Sequence, residues 1–139
     1  MAYRSKYEKI IAASLNSKGV GFTHEPHVLP FTKAQRLTKV HRQSHGLSKD
    51  FVNITYHIYL PDFLVKNGIY IEAKGGTFKR ESRTTLIGVK KCNPNLRFII
   101  AFRYDRPIYP GSKTKNSQWA IKNDFEYFIG TSVPDYICK

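Results

Sequence analysis

Apolar positions change their spacing several times along this chain, and each change predicts an element. Tyr7, Ile10, Ile11 and Leu15 recur at helical intervals behind Ser5-Lys6-Tyr7-Glu8, which has the form of a capping box. Gly19 is a natural stop for that helix. Glu8 lies near the edge of its apolar stripe and points partly inward. Residues 20–25 read as a short strand ended by Pro26. Ile54, Tyr56, Ile58 and Leu60 alternate with Thr55, His57 and Tyr59, which predicts a strand running into Pro61-Asp62. Asn67-Gly68 is a turn signal. Beyond it Ile69, Ile71 and Ala73 alternate with Tyr70, Glu72 and Lys74, giving a second strand.

A helix follows over residues 82–91, stopped by Asn93-Pro94, and residues 96–102 form an apolar run of strand length. Residues 103–116 read as a loop, 118–123 as a short helix carrying Trp119 and Ile121, and 125–129 as a last strand. Residues 30–50 are ambiguous. Ala34, Leu37, Val40 and His41 make a thin helical stripe ending before Gly46, and a solvated loop fits equally well. The fold class is α/β (α+β), with helices packed on a largely antiparallel sheet.

Length and charge add to this picture. The 139 residues suit one domain with a hydrophobic core. Lysine and arginine number 23 against 10 acids, a net charge of +13, which favours polyanionic partners and above all nucleic acid. A merely soluble basic protein, or one that binds anionic lipid, is the plainer reading of charge alone. Cys92 and Cys138 are too few and too far apart for a zinc site or a disulfide framework, which fits a reduced, cytoplasmic setting. No apolar run approaches the roughly 18 residues of a membrane span. Residues 1–9 have no apolar stretch behind them, so a secretory signal is not expected.

The candidate chemistry lies in the hairpin. Glu72 and Lys74 are two apart on a strand and share a face. A two-residue loop at Asn67-Gly68 would set Asp62 opposite Ala73, on the wrong face. A three-residue loop, Lys66-Asn67-Gly68, sets it opposite Glu72, and Gly68 suits the left-handed final position of such a loop. Opposed carboxylates repel. A divalent cation offsets that repulsion, and hard cations prefer oxygen ligands. In this reading Asp62 and Glu72 hold Mg²⁺, helped by the Ala73 carbonyl. The metal polarises a scissile phosphate and lowers the pKa of a bound water. Lys74 orients that water or stabilises the charge that develops. The plainer reading is a surface hairpin with an ordinary salt bridge. Glu8 is a third candidate carboxylate whose local role is the cap, and Glu25 is its rival. The five histidines show no ligand spacing, and most are expected at the surface or facing DNA.

Together these residues resemble the bacteriophage endonuclease I family of Holliday-junction resolvases, nucleases with the restriction-endonuclease-like PD-(D/E)xK core, which implies a mixed sheet flanked by helices. The resemblance rests on Tyr3-Arg4-Ser5-Lys6-Tyr7-Glu8, on Leu15-Asn16-Ser17-Lys18-Gly19-Val20, and above all on Tyr59-Leu60-Pro61-Asp62-Phe63-Leu64 with Asn67-Gly68-Ile69-Tyr70-Ile71-Glu72-Ala73-Lys74-Gly75. It implies an active site of Glu8, Asp62, Glu72 and Lys74, with Glu8 completing the ligands of Mg²⁺ or Mn²⁺, two ions per site. It implies a homodimer in which residues 1–25 are exchanged between subunits, each site joining Glu8 of one chain to Asp62, Glu72 and Lys74 of the other. It implies paired nicks across branched double-stranded DNA, in the host cytoplasm for a phage protein. The connection over residues 26–51 departs from the family in being longer and strongly basic. That length permits a different subunit angle, or a strand that folds back on its own chain. Arg4, Lys33, Arg36, Lys39, Arg42, Lys79 and Arg80 are the candidate DNA contacts. Two other readings stand beside this one: a sequence-specific or repair nuclease on the same core, and a non-catalytic basic DNA-binding protein.

Overall fold

A computed structural model describes residues 3–139; Met1 and Ala2, the start of the segment read above for a signal, lie outside them. The chain runs through α1 (Lys6–Ser17), β1 (Phe22–His24), β2 (Leu29–Arg36), α2 (Lys39–Ser44), β3 (Val52–Tyr59) and β4 (Phe63–Val65). It continues through β5 (Ile69–Lys74), α3 (Arg80–Cys92), β6 (Arg97–Phe102), α4 (Asn116–Lys122) and β7 (Glu126–Ile129), then a 3-10 turn at Asp135–Ile137. Five strands form one mixed sheet in the order β1-β4-β5-β6-β7, and β2 and β3 form a separate two-stranded ribbon.

The period of two along the strands divides the core between two faces. Phe63, Val65, Ile71, Ile99 and Ala101 meet Tyr7, Ile11 and Leu15 of α1 on one side. Tyr70, Phe98, Ile100 and Phe102 meet Leu86 and Val89 of α3 and Trp119 of α4 on the other. Ile11 and Leu15 are fully buried, each contributing roughly 1.5–3 kcal/mol. The sheet is not largely antiparallel. Two of its four pairings, β5 with β6 and β6 with β7, are parallel. The physical reason lies in the connections: α3 and α4 are crossover helices, which parallel neighbours require. With α3 and α4 on one face of β6 and α1 on the other, both faces are covered, which accounts for its uninterrupted Phe-Ile-Ile-Ala-Phe run.

Residues 30–50 resolve into parts of both expectations. The thin stripe is split: Ala34 lies in β2, and Val40 and His41 lie in α2, which has no buried residue. Eight cross-strand pairs with β3, and burial of Leu29 and Phe31, decide the strand over local helix preference. The alternation in β3 does not mark an inner face. Ile54, Tyr56 and Ile58 are exposed on the ribbon. β1 pairs with β4 of the same chain, so α1 and β1 dock here on their own sheet.

The hairpin loop has three residues, Lys66 to Gly68. Gly68 has φ +91° and donates to the Val65 carbonyl at 2.8 Å, and Phe63 faces Ile71. Continued one step, that register sets Asp62 opposite Glu72. Just past Lys74, a Cβ built on Gly75 would lie 2.7 Å from Cβ of Tyr7, whereas one on Gly76 would meet nothing within 4 Å. This bare backbone is what lets α1 close on the end of β5. Gly75→Ala is therefore expected to destabilise the fold by about 1–3 kcal/mol through overpacking. Gly76→Ala should stay within about 0.5 kcal/mol of the parent in the same urea titration.

Candidate active site

α1, β1, β3, β5, α3 and the turn into β4 deliver the site. Ser5 caps α1 by accepting the Glu8 N–H at 3.1 Å. The cap settles the backbone of Glu8 and leaves its carboxylate for another use. Glu8 is 3% exposed, with Oε1 at 3.6 Å from His24 Nε2. Neither atom has a hydrogen-bond partner among the described residues. Asp62, at the turn into β4, accepts the Ala73 N–H at 2.8 Å across the hairpin. Glu72 accepts from the Tyr59 hydroxyl through Oε2, while its Oε1 lies 3.2 Å from Lys74 Nζ. Lys74 donates in turn to Ser82 Oγ, 3.4 Å away in the first turn of α3.

Tyr59, Asp62, Glu72, Lys74 and Ser82 border a cleft of about 300 Å³, with Arg4 and Glu81 among its other walls; the buried Glu8 is not one of them. The electrostatics record how crowded the acids are. Burial first, then the charge of Glu72, pushes the Asp62 carboxyl up to about 9; the Ala73 N–H opposes this, and a hydrogen bond and charge from Glu8 add to it. Burial, then Glu72, drives the Tyr59 phenol well above its ordinary range, so it stays a donor. Among the described residues no three His, Cys, Asp or Glu side chains are grouped so as to hold a metal ion as they stand. The donor chemistry nevertheless fits a hard divalent cation. Glu8, Asp62 and Glu72 supply carboxylate oxygens, one of them buried and unpartnered, and a cation is what would relieve their repulsion.

The structure thus brings Glu8, Asp62, Glu72 and Lys74 together in one chain, with the backbone of Ala73 against Asp62. Glu25 pairs with Arg4 at 2.8 Å and lies 3.9 Å from His24 Nε2, but it does not line the cleft. Arg4 reaches the cleft; Lys79 and Arg80 are exposed at the start of α3, beside it. Lys33, Arg36, Lys39 and Arg42 do not line the cleft but sit on the ribbon and on α2. His24 corrects the expectation of surface histidines: its side chain is 4% exposed. The strand period could have revealed it, since His24 shares a face with the core-packed Phe22. Tyr59, Ser82 and Glu81 were also missed. Nothing in the local pattern signals Tyr59, which meets Glu72 only through the hairpin's geometry.

Comparison with known proteins bears on these residues. The sequence model of the phage endonuclease I family matches residues 40–135, a span that holds Asp62, Glu72 and Lys74 and begins after Glu8. Endodeoxyribonuclease 1 of Enterobacteria phage T3 is 29% identical over 127 residues, covering 88% of this chain and 68% of its own length. Endonuclease I of Escherichia phage T7 is 27% identical over 127 residues, covering 91% of this chain and 72% of its own length.

The Asp62 environment carries a pH signature for the metal-free protein. A carboxyl whose folded pKa is raised to about 9 stabilises the fold most below its unfolded value near 3.8, and that contribution is lost as pH rises towards 9. In chelator, Asp62→Asn should therefore gain stability over the parent progressively between those pH values. Urea midpoints of both proteins across that range check it, and a constant difference would contradict the assigned environment.

Proposed function

This chain belongs to the phage endonuclease I family, and we propose that it is a metal-dependent, structure-selective endodeoxyribonuclease that resolves four-way DNA junctions by paired nicks. The observation that carries the reading is the cleft at the end of β5, where Asp62 and Glu72 lie beside Lys74 and the buried Glu8 adjoins Asp62. The two relatives named as endonucleases support the same reaction class. No helix among the described residues is long and apolar enough to cross a membrane.

Asp62, Glu72 and Glu8, with the Ala73 carbonyl, would hold Mg²⁺ or Mn²⁺, two ions per site. When bound, such ions polarise the scissile phosphate and supply a water of lowered pKa. The protein's own groups do the rest. The Ala73 N–H holds the Asp62 carboxylate in place. Lys74, steadied by Glu72 and Ser82, presents an ammonium to the charge that develops on the phosphate oxygens. Arg4 borders the cleft and Lys79 and Arg80 are exposed at the start of α3, while Lys33, Arg36, Lys39 and Arg42 would extend the cationic surface along the ribbon to the DNA backbone.

A four-way junction and its linear duplex arms, each with Mg²⁺ and with chelator, test the reading. The junction should be cut in preference to the arms, and only with metal. Asp62→Asn and Glu72→Gln should lower cleavage by more than the roughly 10–100-fold that loss of an outer-shell partner costs. Both should keep junction binding in chelator, because phosphate contacts carry it. Equal cutting of linear arms would instead favour a nuclease of other specificity.

Paired nicks call for two sites, and we propose a homodimer in which α1 and β1 pass between subunits. The contacts of α1 at Gly75 and of β1 with β4 serve equally within a chain or between two. After co-refolding, mixed Glu8→Ala and Asp62→Asn chains should regain nicking of one strand, from the one composite site that carries neither lesion. Heterodimers that form and stay inactive would assign each site to a single chain.

A further inference from the structure

Tyr59 ends β3 at the root of the ribbon, where it pairs with the buried Leu29 of β2. Its hydroxyl reaches across to donate to Glu72 Oε2, and Glu72 Oε1 lies 3.2 Å from Lys74 Nζ. The carboxylate is thus held at both oxygens, by a neutral donor on one and a cation on the other. From that division we propose that Tyr59 is a positioning residue: it fixes the rotation of the Glu72 carboxylate and so readies it as a metal ligand.

The inference rests on the metal-binding reading of the site. A carboxylate whose second oxygen is hydrogen-bonded cannot swing freely about its terminal bond. It meets an incoming cation in one orientation, so less ordering remains for the metal to impose. The ribbon acquires a part in the site by the same contact. The Tyr59 backbone pairs with Leu29 and its hydroxyl bonds Glu72, so the last residue of β3 carries the group that orients the carboxylate.

Calorimetric titration of the DNA-free protein with Mn²⁺ tests this without relying on cleavage. Tyr59→Phe keeps the ring and removes the hydroxyl. It should raise the Mn²⁺ Kd about tenfold, the lower end of what loss of an outer-shell partner costs, and leave junction binding in chelator unchanged. Leu29→Ala loosens the same ribbon root and leaves the hydroxyl in place. It should lower the melting temperature in chelator yet hold the Mn²⁺ Kd within about twofold of the parent. A Tyr59→Phe Kd equal to the parent's, or an equal shift in Leu29→Ala, would overturn the role of Tyr59 alone. Absence of Mn²⁺ binding by the parent protein would overturn the metal reading and this role with it.

Discussion

A three-residue loop sets the register of β4 on β5, and everything in the cleft depends on that register. With Gly68 at φ +91°, Phe63 falls opposite Ile71, and Asp62 is left opposite Glu72 at the mouth of the hairpin. A two-residue loop would shift the pairing by one and send Asp62 to the other face. The loop is also anchored from outside, since Asn67 donates its side-chain amide to the Ile137 carbonyl at 2.7 Å. Register in a hairpin is a discrete quantity, so this geometry leaves no intermediate placement of the acids.

The acids so placed work against folding. Asp62 is buried beside Glu72 and Glu8, and Glu8 Oε1 and His24 Nε2 face one another without hydrogen-bond partners. Buried polar groups in this condition destabilise by roughly 1–3 kcal/mol each. The core on either side offsets the cost: α1 is anchored by Ile11 and Leu15, and β6 is buried along both faces. Local strain of this kind is what a cation-binding site is expected to carry, because the arrangement that suits the ion is unfavourable without it.

The ribbon follows a different logic. Its β3 strand alternates cleanly, yet Ile54, Tyr56 and Ile58 face outward, and only the root near Leu29, Phe31 and Tyr59 joins the core. Alternation reports a difference between two faces of a strand; which face is covered depends on what lies beside it. Here α3 covers one face, through Leu29 and Phe31, and among the described residues Ile54, Tyr56 and Ile58 on the other stay exposed.

The sequence by itself determined the local features. The spacing of Glu72 and Lys74, the choice between two loop lengths, the capped start of α1 and the cationic excess were all readable, because each depends on residues close together in the chain. Most of the elements, and three of the four central site residues, follow from those short-range rules, with the family resemblance adding Glu8. Only the tertiary structure decided the rest. Parallel pairing of β5, β6 and β7 depends on where crossover helices return the chain. The choice of Glu8 over Glu25 depends on the close approach of Tyr7 to Gly75, sixty-odd residues away, which no periodicity encodes. Tyr59, His24 and Ser82 joined the site for the same reason: each touches its acid or lysine through packing between separate elements, and such contacts exist only once the chain has closed on itself.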